Sequence, residues 1–427
     1  MGYLRAEPVS AQAQMRRALV VTLLAFLLAL IMVFVVWPAQ RFVDTRPDPY
    51  NYSAIARQML AEGFGAHGVN KREASLYPSM IAVIYWTLGE RPILIKLLQC
   101  LMFAATCLVI IDIGRRLYNE RTGLVAGFLF AFNPLPLRYV ADLHMETMLT
   151  FIVTLNAWTM VRFYETRTIR KGLLVGLTAG IAALTKGVAL IPPLLFGGYW
   201  ICCGIVARWR RVPSPGPWSP VVAIALATTL VILPWAARNY HVSGGRFVPL
   251  APGLNDAFLR GYVFSRLEFA LLRQPPYTVA ENECNAWLAE LCRRRGTVVG
   301  QDELRDEAIF AAVAKQKIIE EPLELVRKTV VGLFTFWYQM TNLLNSLVAG
   351  GIALTAWALA SMGWARARRE ARPNWLLIMP ILSTNVLIAL LCSLGRYSMP
   401  IIPCLMILAA FGVDTLMTRP VPERAAL

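Results

Sequence analysis

The apolar residues of this chain come in blocks of roughly twenty, the length a helix needs to cross about 30 Å of hydrocarbon. The blocks are centred near 18–37, 93–113, 122–138, 145–163, 172–188, 190–206, 219–238, 343–365, 375–393 and 397–417. Of the 427 residues, 57% are hydrophobic and only 16% charged, too few charges to cover the surface of a water-soluble protein of this size. The pattern predicts an all-α polytopic membrane protein with about ten transmembrane helices.

The placement of charge orients those helices. A net charge of +16 could suggest a nucleic-acid partner, but the arginines stand in short clusters between apolar blocks. Arg5, Arg16 and Arg17 precede the first block; Arg115, Arg116 and Arg121 lie between the second and third; Arg162, Arg167, Arg170 and Lys171 follow the fourth. Arg208, Arg210 and Arg211 follow the sixth, Arg366, Arg368, Arg369 and Arg372 the eighth, and Arg419 and Arg424 the tenth. With ten spans every cluster falls on one side, which the positive-inside rule makes cytoplasmic, so no nucleic acid is expected. Residues 77–89 are apolar but short, and counting them as a span would throw the later clusters outside. They are expected to be re-entrant or interfacial. The first block is too long for the core of a signal peptide and is read as a retained helix.

This topology leaves residues 38–92 and about 239–342 on the outer face. The chain is expected to divide into an N-terminal transmembrane module (1–238, including the outer loop 38–92), an outer helical cap (239–342) and C-terminal helices (343–427). Within the cap, Asp302 to Glu321 reads as helix, stopped by Pro322. Six of the eight cysteines lie in apolar blocks; Cys284 and Cys292, eight residues apart in the cap, are a candidate disulfide if the helix between them bends. No cysteine spacing suggests zinc, and His67, His144 and His241 read as surface or capping residues. No internal repeat of the kind common in transporters is visible.

The stretch 44–57 follows the first span directly. In it Asp48, Tyr52 and Ala56 recur every fourth residue and would stack along one helix face, with Arg46 and Arg57 close by. Asp142, His144 and Glu146 occupy the outer junction after the third block. Lys186, Arg238 and Arg396 stand at the outer ends of the fifth, seventh and tenth. A single charge at a membrane helix end can simply snorkel to the interface. Three cations and several carboxylates converging on one face suit a phosphate headgroup and a general base.

In order along the chain, Asp48-x-x-x-Tyr52-x-x-x-Ala56, Leu76-Tyr77-Pro78, the Gly-rich helix from Gly172 to Lys186, Pro234-Trp235-x-x-Arg238-Asn239 and Arg396-Tyr397-x-x-Pro400 resemble the motifs of one family. These are the GT-C glycosyltransferases of the dolichyl-phosphate-mannose–protein mannosyltransferase-like group, which includes the aminoarabinose transferase of lipid A. The chain departs from that pattern where Pro49 follows Asp48 in place of an acid, with Asp44 as a second candidate, and the turn at Tyr77 lacks an inner proline.

The resemblance implies a GT-C fold with outer interfacial helices. It also implies transfer, with inversion, of a hexosyl or pentosyl group from a polyprenyl-phosphate donor to an outer-face lipid, glycan or protein. Asp48 (or Asp44) would serve as the base, and Arg238, Lys186 and Arg396 as ligands of the donor phosphate. Tyr52, Arg57, Tyr77, Asp142, Glu146, Asn239 and Tyr397 would line the substrates. A monophosphate faced by three cations needs no cofactor, and a divalent metal is left open. The setting implied is a bacterial inner membrane, with the site on the periplasmic face and both termini cytoplasmic. The alternative is a transporter or flippase of polyprenyl-linked sugars. Topology can be checked directly: single cysteines placed within 115–121 and 366–372 are expected to be shielded from an impermeant thiol reagent added outside.

Overall fold

The computed structural model describes residues 11–37, 52–63, 76–212, 216–251, 253–274 and 276–417. Asp44, Asp48 and His67 lie outside them. The described residues are 83% helix, with no strand among them. The helices are α1 (Ala11–Ile31, continued by a wider turn Met32–Val36), α2 (Tyr52–Glu62), α3 (Leu76–Leu88), α4 (Pro92–Leu117), α5 (Glu120–Ala131) and α6 (Pro134–Tyr139). Next come α7 (Glu146–Glu165), α8 (Ile169–Thr185), α9 (Ile191–Trp209) and α10 (Ser219–Val242). The cap holds α11 (Leu254–Phe264), α12 (Leu267–Ala270), α13 (Glu281–Arg294), α14 (Glu303–Glu320) and α15 (Pro322–Tyr338). It is followed by α16 (Leu343–Arg369), α17 (Trp375–Leu390) and α18 (Ile402–Met417).

Among the described residues, six helices are long and apolar enough to cross a membrane: α1, α4, α9 with the turn before it, α10, α16, and α18 with the turn before it. The other four expected spans are helical too, but shorter or more polar. The block 122–138 is one of them, and it is not a single helix. It breaks after Ala131, where the Asn133 side chain accepts from the Leu135 amide (3.1 Å) and Pro134 opens α6. The break is local chemistry: an N-cap followed by a proline at the first helical position starts a new helix. α3 has 13 residues, about 20 Å, too short to span, as the charge pattern required.

Close packing between helices follows small residues. A Cβ on Gly172 or Gly176 would collide with the carbonyl oxygens of Pro220 and Ile224, and one on Gly180 with the Val231 side chain. Because the contacts advance along α8 and α10 together, these helices run parallel and end on the same side. α4 and α5 close an antiparallel hairpin through Gly114 and Gly123, capped by Asn119, whose side chain accepts from the Thr122 amide (2.8 Å). α16 and α18 run parallel, start beside start, and meet through Gly363 and Gly412.

At the arginine-rich end, ion pairs tie helices together: Arg116 with Glu165 (2.9 Å), Arg366 with buried Asp414 (2.9 Å), and Arg17 with Glu120 (3.6 Å). At the other end the cap docks through Gly261, where a Cβ would fall on the Leu391 carbonyl. Beside it lies the fully buried Lys328, whose amine donates to the Phe258 carbonyl (2.8 Å); burial pushes that amine down to about 7. The helix expected over Asp302 to Glu321 forms as α14, capped by Asp302, and Pro322, expected to stop it, opens α15.

The proposed Cys284–Cys292 disulfide is absent. Neither thiol is in a disulfide, and both are buried, in two different apolar clusters. α13 runs unbroken between them, so their backbones stay too far apart to bridge. Cys292 instead donates to Asp306 (3.4 Å). Cys202, expected in the packed interior, is exposed.

The α8–α10 seam makes a direct test. Gly176→Val forces a branched side chain onto the Ile224 backbone and is expected to cost about 1–3 kcal/mol or more. Gly197→Ala in α9, where a Cβ meets nothing within 4 Å, is expected to be neutral or slightly stabilising. Thermal unfolding of the detergent-solubilised variants reads both.

Candidate active site

The first side of the site is built by α2, α3 and α4. In α2, Tyr52, Ala56 and Met59 recur at helical spacing and are buried, so this helix lies with one face inward. The Tyr52 ring meets Tyr77 of α3 edge-on, with centroids 5.0 Å apart, and the Ser53 hydroxyl pairs with that of Tyr85 (2.7 Å). Tyr77 is completely buried and donates to Gln99 Oε1 (2.6 Å). Gln99 in turn donates to the carbonyls of Val140 (2.9 Å) and Asp142 (2.8 Å). One buried amide therefore fixes the junction between α6 and α7 against the interfacial helices.

That junction presents its acids inward. Asp142 and Glu146 are 5% and 3% exposed. His144 is not the surface residue its spacing suggested. It is buried, with its ring edge-on to Tyr52 and Tyr139 and its Nδ1 3.7 Å from Glu146 Oε2. His241 is exposed, as expected.

The second side comes from helix ends. Arg396 opens a 3-10 turn, Gly395–Ile401, whose Gly395 amide donates to the Gln339 carbonyl (2.7 Å). Its Nε lies 3.9 Å from Glu146 Oε1, a close ion pair rather than a hydrogen bond. Lys186, the C-cap of α8, places its Nζ 3.9 Å from the Tyr397 ring centroid, and the Arg396 guanidinium stands 5.2 Å from the same ring. Two cations thus lie against one aromatic ring, each attracted by its quadrupole. Glu146, Lys186, Arg396 and Tyr397 line one narrow cleft of about 20 Å³, the room of a single water.

Arg238 and Asn239 leave α10 on the same side without lining that cleft. Arg238 stacks on Trp235 (4.8 Å) and donates to Asn239 Oδ1 (3.0 Å). The Asn239 amide donates to the carbonyls of Val248 (2.9 Å) and Leu250 (2.7 Å), so it holds the following loop. Leu250 reaches back toward Gly187, beside Lys186. Arg57 points elsewhere: it pairs with Glu90 (2.5 Å), both half-exposed.

Two residues that sequence reasoning passed over stand out. Gln99 is the hub just described. Lys96, one turn earlier on the same face of α4, is 1% exposed. A lysine inside an apolar block was visible in the sequence, but it was counted as part of a span.

Residues 73–235 match the family model of dolichyl-phosphate-mannose-protein mannosyltransferases. No curated protein matches the chain. By fold it is similar to the oligosaccharyltransferase of Archaeoglobus fulgidus in the apo form, with a TM-score of 0.57, 13% identity, and coverage of 94% of this chain and 50% of that one. The complex of that enzyme, AglB, with an inhibitory peptide and a dolichol-phosphate gives 0.57 and 14%, with the same coverage. The chain therefore spans about half the length of the archaeal protein. ArnT from Cupriavidus metallidurans in the apo state aligns over 95% of this chain and 78% of its own at 14% identity; its TM-score of 0.42 is too low to carry an argument. The architecture is the GT-C fold.

The electrostatics of the cleft yield a prediction. Glu146→Gln leaves Lys186 and Arg396 facing each other without their carboxylate, which is expected to destabilise the protein by about 3–5 kcal/mol. Adding Arg396→Gln should restore part of that loss, read as non-additivity in a double-mutant cycle of thermal unfolding.

Proposed function

We propose that the protein is a membrane glycosyltransferase that moves a hexosyl or pentosyl group from a polyprenyl-phosphate donor to an acceptor at the outer, periplasmic face. The observation that carries this reading is the pairing of Lys186 and Arg396 over the Tyr397 ring beside buried Glu146, all at helix ends on one side. The family match over 73–235, which contains Tyr77, Asp142, Glu146 and Lys186, supports it. So does the shared fold with a protein whose structure holds dolichol-phosphate.

In this reading the donor phosphate rests on the rim of the cleft, where Lys186 and Arg396 keep part of their surface open, with Arg238 completing the set. Asp48, or Asp44 four residues earlier, takes the proton from the acceptor hydroxyl. The acceptor oxygen attacks the anomeric carbon from the opposite face, forming the new C–O bond with inversion. The bond to the phosphate oxygen breaks, and the polyprenyl monophosphate leaves with the electron pair. Its charge grows in the transition state, so cations fixed there favour that state over the ground state. The tail would lie between lipid-facing helices. The setting is the inner membrane of a bacterium, with both termini in the cytoplasm. A flippase would need its charges near the bilayer midplane and a route to the other face; charges at helix ends favour the enzyme.

Asp48→Asn keeps the side chain's size and loses the proton acceptor. It is expected to abolish transfer and leave donor-lipid binding nearly intact. Arg238→Ala is expected to weaken donor binding about ten- to a hundredfold and to slow transfer as well. Purified protein in nanodiscs, assayed for transfer beside donor binding, tests both. If transfer survives in Asp48→Asn but not in Asp44→Asn, the base is Asp44; if the double variant stays active, the stretch 44–57 has no catalytic role.

A further inference from the structure

A second cavity lies back to back with the charged cleft, across the 3-10 turn Gly395–Ile401. Arg396, Tyr397 and Pro400 face the cleft; Ser398 and then Ile402 and Met406 face the cavity. It measures about 210 Å³ and is walled by α6, the end of α15, the first turns of α16 and the start of α18. From Leu344 to Ala353, about 14 Å along α16, its wall is apolar except for Asn345. Leu343, Leu344 and Leu347 on that helix are exposed, so the cavity opens beside a surface that suits acyl chains.

The cavity also has polar lining groups. Asn133, Arg138, Asn345 and Ser398 line it. The Asn133 side chain is occupied as the cap of α6, and the Ser398 hydroxyl donates to the Gly395 carbonyl (2.7 Å). Arg138 differs. Its Nη1 is buried and has no hydrogen-bond partner among the described residues, while its guanidinium is held by the rings of Trp37 (5.4 Å) and Tyr139 (5.6 Å). A guanidinium N–H left unpaired in an apolar surrounding is costly, and an anionic oxygen would satisfy it. A chain-length apolar slot ending in an unsatisfied cation is complementary to a lipid with an anionic headgroup.

We infer that this cavity binds the acceptor, and that the acceptor is an acyl-chain lipid whose anionic headgroup pairs with Arg138. The inference rests on the functional reading above in one respect: the donor phosphate belongs to the cations on the other face of the turn. Donor and acceptor would then approach one catalytic segment from opposite sides, with Tyr139 and His144 between them.

The test uses the full chain in phosphatidylcholine nanodiscs carrying a photoactivatable phosphatidic acid as the probe. Labelled peptides are expected from α16 and α18, undiminished by excess undecaprenyl phosphate. Arg138→Gln should weaken labelling about tenfold. Ala353→Phe, which fills the slot from its half-buried side, should also abolish most of it, and both variants should bind undecaprenyl phosphate as the parent does. Displacement of the label by undecaprenyl phosphate would mean that the cavity holds the donor and would overturn the inference. So would equal labelling by a photoactivatable phosphatidylcholine, or labelling indifferent to both substitutions. Failure of the parent to bind undecaprenyl phosphate at all would count against the proposed function while leaving the lipid site to stand or fall on its own label.

Discussion

The site depends on how closely α8 can approach α10. In hydrocarbon there is no hydrophobic drive to bring helices together, so association relies on dispersion contacts and on backbones that can come near. Gly172, Gly176 and Gly180 supply that approach on one stripe of α8, each set against backbone or β-carbon atoms of α10. The register they fix is parallel. Lys186, six residues beyond Gly180, and Arg238, seven beyond Val231, therefore emerge at the same level. An antiparallel arrangement would have sent one of these cations to the arginine-rich end, where Glu165 and Asp414 already serve the basic residues.

Charge is sorted between the two ends by different physics. At the arginine-rich end most pairs are partly open to solvent, such as Arg115 with Asp112 at 2.5 Å, and these contribute little; Arg366 with buried Asp414 is the exception. At the site end Glu146 is 5% exposed in its side chain and Arg396 17%, so their attraction is weakly screened and their desolvation is large. Burial of that kind does not stabilise a fold efficiently. The Tyr397 ring, which Lys186 and Arg396 both approach, offsets part of that cost.

Much of this was legible in the chain. Blocks of apolar residues located the helices, the short segment before Pro92 was read as non-spanning, and a Gly-rich helix ending in lysine marked α8. What could not be read was the set of contacts made across the bundle. Gln99 looks like any polar residue in a span, yet it joins Tyr77 to the carbonyls of Val140 and Asp142, residues more than forty positions away. His144 carries no local signal for burial between Tyr52 and Tyr139, because those rings come from two other segments. The Cys284–Cys292 pairing failed for a local reason that spacing leaves undecided: α13 continues through both cysteines instead of ending between them.

The 3-10 turn that carries Arg396 is tightly held. A Cβ at Gly395 would strike Met340 Sδ and the Gln339 carbonyl, and the same carbonyl receives the Gly395 amide. Gln339 in turn donates to the Phe264 carbonyl in the cap (3.3 Å). Cap, α15 and the turn are therefore one hydrogen-bonded relay, and Arg396 cannot shift without disturbing it. In the proposed reaction such rigidity would matter, since a cation that must reorganise as charge develops gives back part of its advantage. The cap, read this way, braces the turn from outside the bundle. It sets where Arg396 stands relative to Glu146 on one face and where Ser398 meets the apolar cavity on the other.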